Sequence, residues 1–156
     1  MTEVCENGNA DLTATVTGGS SLLSIQWETS ASSTGPWTDI VGETDANFSA
    51  PTNIPGTLYY RVRVDDNNPG CLEPYSTIMT VTVNEDLIVS VEPTSIAECV
   101  GGSETMEVQV TGGLGTISYQ WQSSTTGTSV SFADVAGANA ASFMPPSTVA
   151  GTTWFR

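Results

Sequence analysis

The sequence predicts an all-β chain built as two tandem sandwiches, and three observations carry that expectation. The segment Ile25-Gln26-Trp27 returns 94 positions later as Tyr119-Gln120-Trp121. Apolar and polar residues alternate with a period of two through most segments, and none shows a 3.6-residue period. Thr, Ser, Val and Gly recur throughout, a composition that favours strands and tight turns over helices.

The repeat holds register along almost the whole chain. Cys5 corresponds to Cys99, Thr15-Val16-Thr17-Gly18-Gly19 to Gln109-Val110-Thr111-Gly112-Gly113, and Trp27 to Trp121, all offset by 94. One extra residue in the Ser/Thr/Gly-rich stretches 30–36 and 124–131 then shifts the offset to 95. Trp37 now meets Phe132, Asp39 meets Asp134, Gly42 meets Gly137, Phe48 meets Phe143, and Tyr59-Tyr60-Arg61 meets Trp154-Phe155-Arg156. A surface loop absorbs such an insertion, whereas a strand would lose register, so the pattern reads as a duplication.

Taken in order, Leu12, Ala14 and Val16 alternate with threonines, which gives a strand one buried and one wet face. Ile25 and Trp27 continue the inward set. Residues 36–41 and 46–50 read as short strands. Residues 57–64 form a longer one, with Tyr60, Val62 and Val64 on one face and Tyr59, Arg61 and Arg63 on the other. Residues 76–83 alternate again, and Gly/Pro/Asn clusters at 7–9, 51–56 and 66–70 separate the runs. Six or seven short strands per repeat, with a tryptophan on the third, predict tandem immunoglobulin-like Greek-key sandwiches. Trp27, Trp121, Tyr60 and Phe155 are the expected core anchors, and Tyr60 suits the tyrosine corner of that fold.

The expected division is 1–85 and 86–156. Residues 87–92 supply a first strand to the second repeat that the first lacks, and the second lacks counterparts of 62–83. This predicts a window on a longer repeat array, or strands donated by a neighbouring chain. Residues 1–20 do not read as a signal peptide, which fits a window.

Cys5 and Cys71 in the first repeat, with Cys99 awaiting a partner in the second, point to an oxidising, extracellular compartment. A Cys5–Cys71 disulfide would stabilise by about 4 kcal/mol in the loop-entropy model. A regular sandwich, however, would put a corner cysteine and a last-hairpin cysteine at opposite ends. Pairing between adjacent repeats, or free thiols, are the alternatives.

Charge narrows the partners. The net charge is −14, with 17 acidic residues against Arg61, Arg63 and Arg156, and neither lysine nor histidine. Nucleic acid and anionic membrane surfaces are disfavoured, and no apolar run is long enough to insert into a bilayer. Without histidine or lysine, Ser-His-Asp, Cys-His and Schiff-base chemistry are unavailable, so the chain is not expected to be an enzyme. Asp65 and Asp66 in the last hairpin, and Glu85 and Asp86 at the repeat junction, offer oxygen ligands for calcium. Asp-Asn-Asn-Pro-Gly is equally good turn chemistry, and no other cofactor is expected. The aromatics Trp37, Tyr59, Phe132 and Trp154 are candidates for stacking on a surface glycan, although their repetition also fits packing.

Thr-Val-Thr-Gly-Gly, Tyr-Gln-Trp-Gln-Ser-Ser, Phe-Ala-Asp-Val-Ala-Gly-Ala and Gly-Thr-Thr-Trp-Phe-Arg resemble the tandem Ig-like repeats of large Bacteroidetes-type surface proteins. That group includes gliding-motility adhesins exported by type IX secretion. The resemblance implies a cell-surface stalk or adhesin segment, partnered by adjacent repeats or neighbouring copies. A carbohydrate-binding module of a secreted glycan-targeting protein is the alternative. Repeats joined by the short Asn84-Glu85-Asp86 link, without a flexible spacer, would form a semi-rigid filament.

Overall fold

A computed structural model describes residues 1–18, 23–65 and 73–156, which form an all-β structure of several small sheets without helices. The chain divides into two compact units, Met1–Asp86 and Leu87–Arg156.

The first unit contains β1 (Thr2–Cys5), β2 (Asp11–Thr13), β3 (Ser24–Ser30), β4 (Thr38–Asp39), β5 (Asn47–Ser49), β6 (Gly56–Asp65) and β7 (Met79–Asn84). One sheet has the order β1-β7-β6-β3-β4, and β2 pairs with β5 in another. The centre of the larger sheet is the β3–β6 ladder, in which Trp27 lies opposite Val62 and Thr29 opposite Tyr60. Period-two alternation turns Tyr60 and Val62 inward while Arg61 and Arg63 line the other face. Residues 78–84 behave likewise: Val81 and Val83 are buried, whereas Ile78 is 45% exposed.

Side chains from both sheets meet in one core of Ala10, Leu12, Trp27, Phe48, Ala50, Tyr60, Val62, Val81 and Val83. Its spine is an aromatic ladder. The Trp27 and Phe48 rings are 5.2 Å apart, and those of Phe48 and Tyr60 are 5.5 Å apart, both tilted. Each such pair contributes about 0.5–1.5 kcal/mol beyond the area it buries. Burial raises the Tyr60 phenol above its ordinary pKa, because the charged form would lose its solvation.

The second unit contains β8 (Ile88–Val91), β9 (Met106–Glu107), β10 (Gln109–Thr111), β11 (Gln122–Ser124), β12 (Ala133–Asp134), β13 (Ser142–Phe143) and β14 (Trp154–Phe155). The sheets are β12-β11-β14, β13-β9 and β10-β8. The aromatic ladder is rebuilt from Trp121, Phe143 and Phe155, at 5.3 and 5.4 Å.

Backbone bonds repeat with the sequence offset. Trp27 N–H donates to Glu43 O at 3.0 Å, and Trp121 N–H to Ala138 O at 3.0 Å. The turn after β4 closes with Glu43 N–H to Ile40 O, and its counterpart with Ala138 N–H to Val135 O, both at 3.1 Å. Each turn needs a left-handed residue, supplied by Gly42 at φ 87° and Gly137 at φ 75°. Trp121 is the one hydrophobic residue of the second unit that is buried among the described residues, whereas the first unit buries nine.

Candidate functional site

The tryptophans are fixed from two directions in each unit. Trp27 Nε1 donates to Asp45 O, and Trp121 Nε1 to Ala140 O, both at 2.8 Å. The preceding glutamine clamps the neighbouring strand. Gln26 Nε2 donates to the carbonyls of Trp27 and Ile40, and Gln120 Nε2 to those of Trp121 and Val135. Trp27 is fully buried, Trp121 and Tyr60 nearly so, and Phe155 is half-buried. These four residues therefore sit in the interiors of their units.

On the outer face of the larger sheet lies a charged and aromatic cluster. Glu28 has a buried side chain, and its Oε2 accepts from Arg61 Nε at 2.6 Å while its Oε1 lies 3.4 Å from Arg63 Nε. The Arg61 guanidinium is stacked between two rings, 4.4 Å from Trp37 and 3.9 Å from Tyr75. Arg63 also reaches Asp39 at 3.1 Å and Glu73 at 3.8 Å. The second unit keeps part of this arrangement. Arg156 lies 4.4 Å over Phe132 and donates through Nε to Gln122 Oε1 at 2.8 Å. Sequence reasoning missed Glu28 and Tyr75. The usable signal was Glu28 beside Trp27, on the strand face that must oppose Arg61 and Arg63.

This cluster bears directly on the glycan candidates. Arg61 covers a face of Trp37 and Arg156 covers a face of Phe132, while Tyr59 is half-buried. Trp154 is 43% exposed, and its ring lies against Gly127, where an added Cβ would fall 2.9 Å from the indole. Two of the four aromatics, one in each unit, are thus committed to arginine.

The calcium candidates are separated. Asp65 ends β6, whereas Glu85 and Asp86 follow β7 at the opposite end, because Gly56 pairs with Val83. Asp86 N–H points to Glu6 Oε2 at 3.5 Å. Asp66 lies outside the described residues. Among the described residues no group of three or more acidic, cysteine or histidine side chains could hold a metal ion.

The Cys5–Cys71 pairing expected from the sequence falls partly outside the described residues. Cys5 is a half-buried free thiol, Cys99 is an exposed one, and Cys71 lies outside the described residues. Cys5 lies beside Asn84 in the parallel β1–β7 pair.

The second unit holds a groove of about 360 Å³ lined by Val89, Pro93, Val108, Tyr119, Trp121 and Phe155, with Glu92 and Arg156 also in its lining. Gln122 and Arg156 exchange N–H···O bonds at 2.8 and 3.0 Å.

Residues 1–85 and residues 93–156 each match the model of one family, described as a domain of unknown function (DUF8696), and the chain belongs to that family. No curated protein and no solved structure matches the chain.

Proposed function

We propose that the chain is a load-bearing pair of immunoglobulin-like Greek-key modules from the stalk of a large extracellular, adhesin-like surface protein. The observation that carries this reading is what the duplication preserves. The buried tryptophan, its bond to a loop carbonyl, the glutamine clamp and the three-ring ladder recur at matching positions. Charged positions outside the apolar cores diverge: Glu28 becomes Gln122, Glu43 becomes Ala138, and Asp45 becomes Ala140. A duplicated recognition site would keep its exposed residues and let its interior drift. A spacer keeps the interior, which gives stiffness, and leaves the surface free to change.

The sheet order β1-β7-β6-β3-β4 opposite β2-β5 supports the immunoglobulin-like assignment, since that fold sets a sheet built on its third and last two strands against another. The high negative charge suits crowded neighbouring stalks that must not adhere to one another. The reading also includes the surface location and the kinship with Bacteroidetes-type adhesin repeats that the motifs imply.

Small-angle scattering on the whole chain tests the reading. Two modules of about 3 to 4 nm in series give a maximum dimension of about 7 nm. A value near 5 nm, as for one rounded body, would remove the stalk. Limited proteolysis supplies a second measurement, with resistance through residues 84–86 expected for a semi-rigid joint and rapid cutting there opposed to it.

A further inference from the structure

β1 and β7 are joined in parallel, with Thr2, Glu3, Val4 and Cys5 opposite Val81, Thr82, Val83 and Asn84. The other pairs between the strands of the first unit are antiparallel. The difference matters because the chain passes through this unit from β1 to β7. In a parallel pair, the start of one strand and the end of the other lie at opposite ends. Tension along the chain therefore slides β1 past β7, across their hydrogen bonds, and the rungs must break together. In an antiparallel hairpin the two outer ends lie side by side, and tension opens one rung at a time.

The far end of β1 is pinned. Glu6 N–H donates to Asn84 O at 3.0 Å, and Asn7 N–H donates to Thr52 O at 2.9 Å. The buried Thr52 hydroxyl donates to Gly8 O at 2.7 Å, and Gly8 N–H closes the turn on Cys5 O at 3.0 Å. Only glycine fits there, since a Cβ would fall 2.9 Å from Cys5 O and 3.0 Å from Val4 Cβ. The second unit keeps the pin. Gly102 N–H donates to Cys99 O and Gly101 N–H to Ser147 O, both at 2.9 Å, while the Ser147 hydroxyl donates to Gly102 O at 2.8 Å. In the first unit Val81 and Val83 are buried and Val4 packs against the core, so water has little access to that side of the rungs.

We infer that the β1–β7 pair and its pinned turn form a shear clamp, which sets the force at which the first unit unfolds when the chain is stretched. The clamp rests on the stalk reading for its use, because only a chain under tension needs one. Its strength is measured separately from shape, so a weak clamp would leave an extended stalk intact, and a rounded body would leave the clamp intact.

Single-molecule stretching of the whole chain tests it in two directions. An N-terminal tag is paired with a handle on a click-reactive residue placed at the exposed position 86, which loads β1 and β7 in shear. The same tag paired with a handle at the exposed position 77 loads both strands from one end, so that they peel. We expect unfolding in shear to need at least about twice the peeling force. Two variants separate the clamp from overall stability. Glu6→Pro removes the N–H that reaches Asn84 O and should speed unfolding under shear load about tenfold. Gly42→Ala, in the turn after β4, lowers equilibrium stability but should change the loaded rate by less than about twofold. Equal forces in the two directions would overturn the clamp, as would equal acceleration by the two variants. The directional comparison leaves the strands unaltered, so it holds even where Glu6→Pro fails to fold.

Discussion

Trp27 and Asp45 are joined by a 2.8 Å bond from the indole Nε1 to a main-chain carbonyl, which ties the third strand to the loop before β5. The bond is buried together with a large apolar ring, so two replacements separate its contributions. Trp27→Ala opens a cavity among Phe48, Tyr60 and Val62 and should destabilise the first unit by about 3–5 kcal/mol. Trp27→Phe retains much of the ring but strands the Asp45 carbonyl, at about 1–3 kcal/mol. Urea unfolding read from amide signals of the first unit checks both, and equal costs would show that the ring's packing adds nothing beyond the hydrogen bond that both variants lose.

Glu28 is a nearly buried carboxylate facing two guanidinium groups. Removing it in Glu28→Ala takes the carboxylate from Arg61 beneath its aromatic cover and leaves Arg63 with Asp39 and Glu73, at about 3 kcal/mol in stability. Glu28→Gln should cost about 1 kcal/mol, because the second unit performs the same task with Gln122 Oε1 accepting from Arg156 Nε. The paired unfolding curves decide whether charge or hydrogen-bond shape matters here.

Gly42 occupies the left-handed turn after β4 at φ 87°, and nothing lies within 4 Å of where a Cβ would project. Gly42→Ala therefore costs backbone strain alone, about 1–2 kcal/mol, without a clash. At the equivalent problem in the loop after β1, Asn7 adopts φ 58° where the second unit has Gly101 at φ 87°. Asn7→Gly should change stability by less than about 0.5 kcal/mol, since asparagine tolerates this region almost as glycine does. Thermal unfolding of the two variants side by side gives the contrast.

These positions also show which parts were legible in the sequence. The tryptophan repeat, the alternation of Tyr60, Val62 and Val64, and the inward valines of β7 follow from local pattern, because a strand's faces are set by residue parity. The parallel pairing of β1 with β7 and the stacking of Tyr75 on Arg61 depend on chain segments far apart in sequence, which parity does not encode. Trp37 illustrates the limit: an aromatic near a surface loop reads as a stacking platform until a guanidinium is found over it.

Tyr60 gives the chain a pH dependence whose sign can be worked out. Burial raises its folded-state pKa above the ordinary value of about 10, which it keeps when unfolded. Below that value both states hold the proton and the phenol contributes its full packing. As pH rises past about 10, the unfolded chain releases the proton while the folded chain retains it, so unfolding is favoured and stability falls. Tyr60→Phe cannot ionise. It should be less stable than wild type at pH 7, with the gap constant to about pH 9 and then narrowing as the wild type loses stability. Urea unfolding of the first unit at intervals from pH 7 to about 11 tests this. A gap that stayed constant across that range would mean that the Tyr60 hydroxyl is open to water in the folded protein.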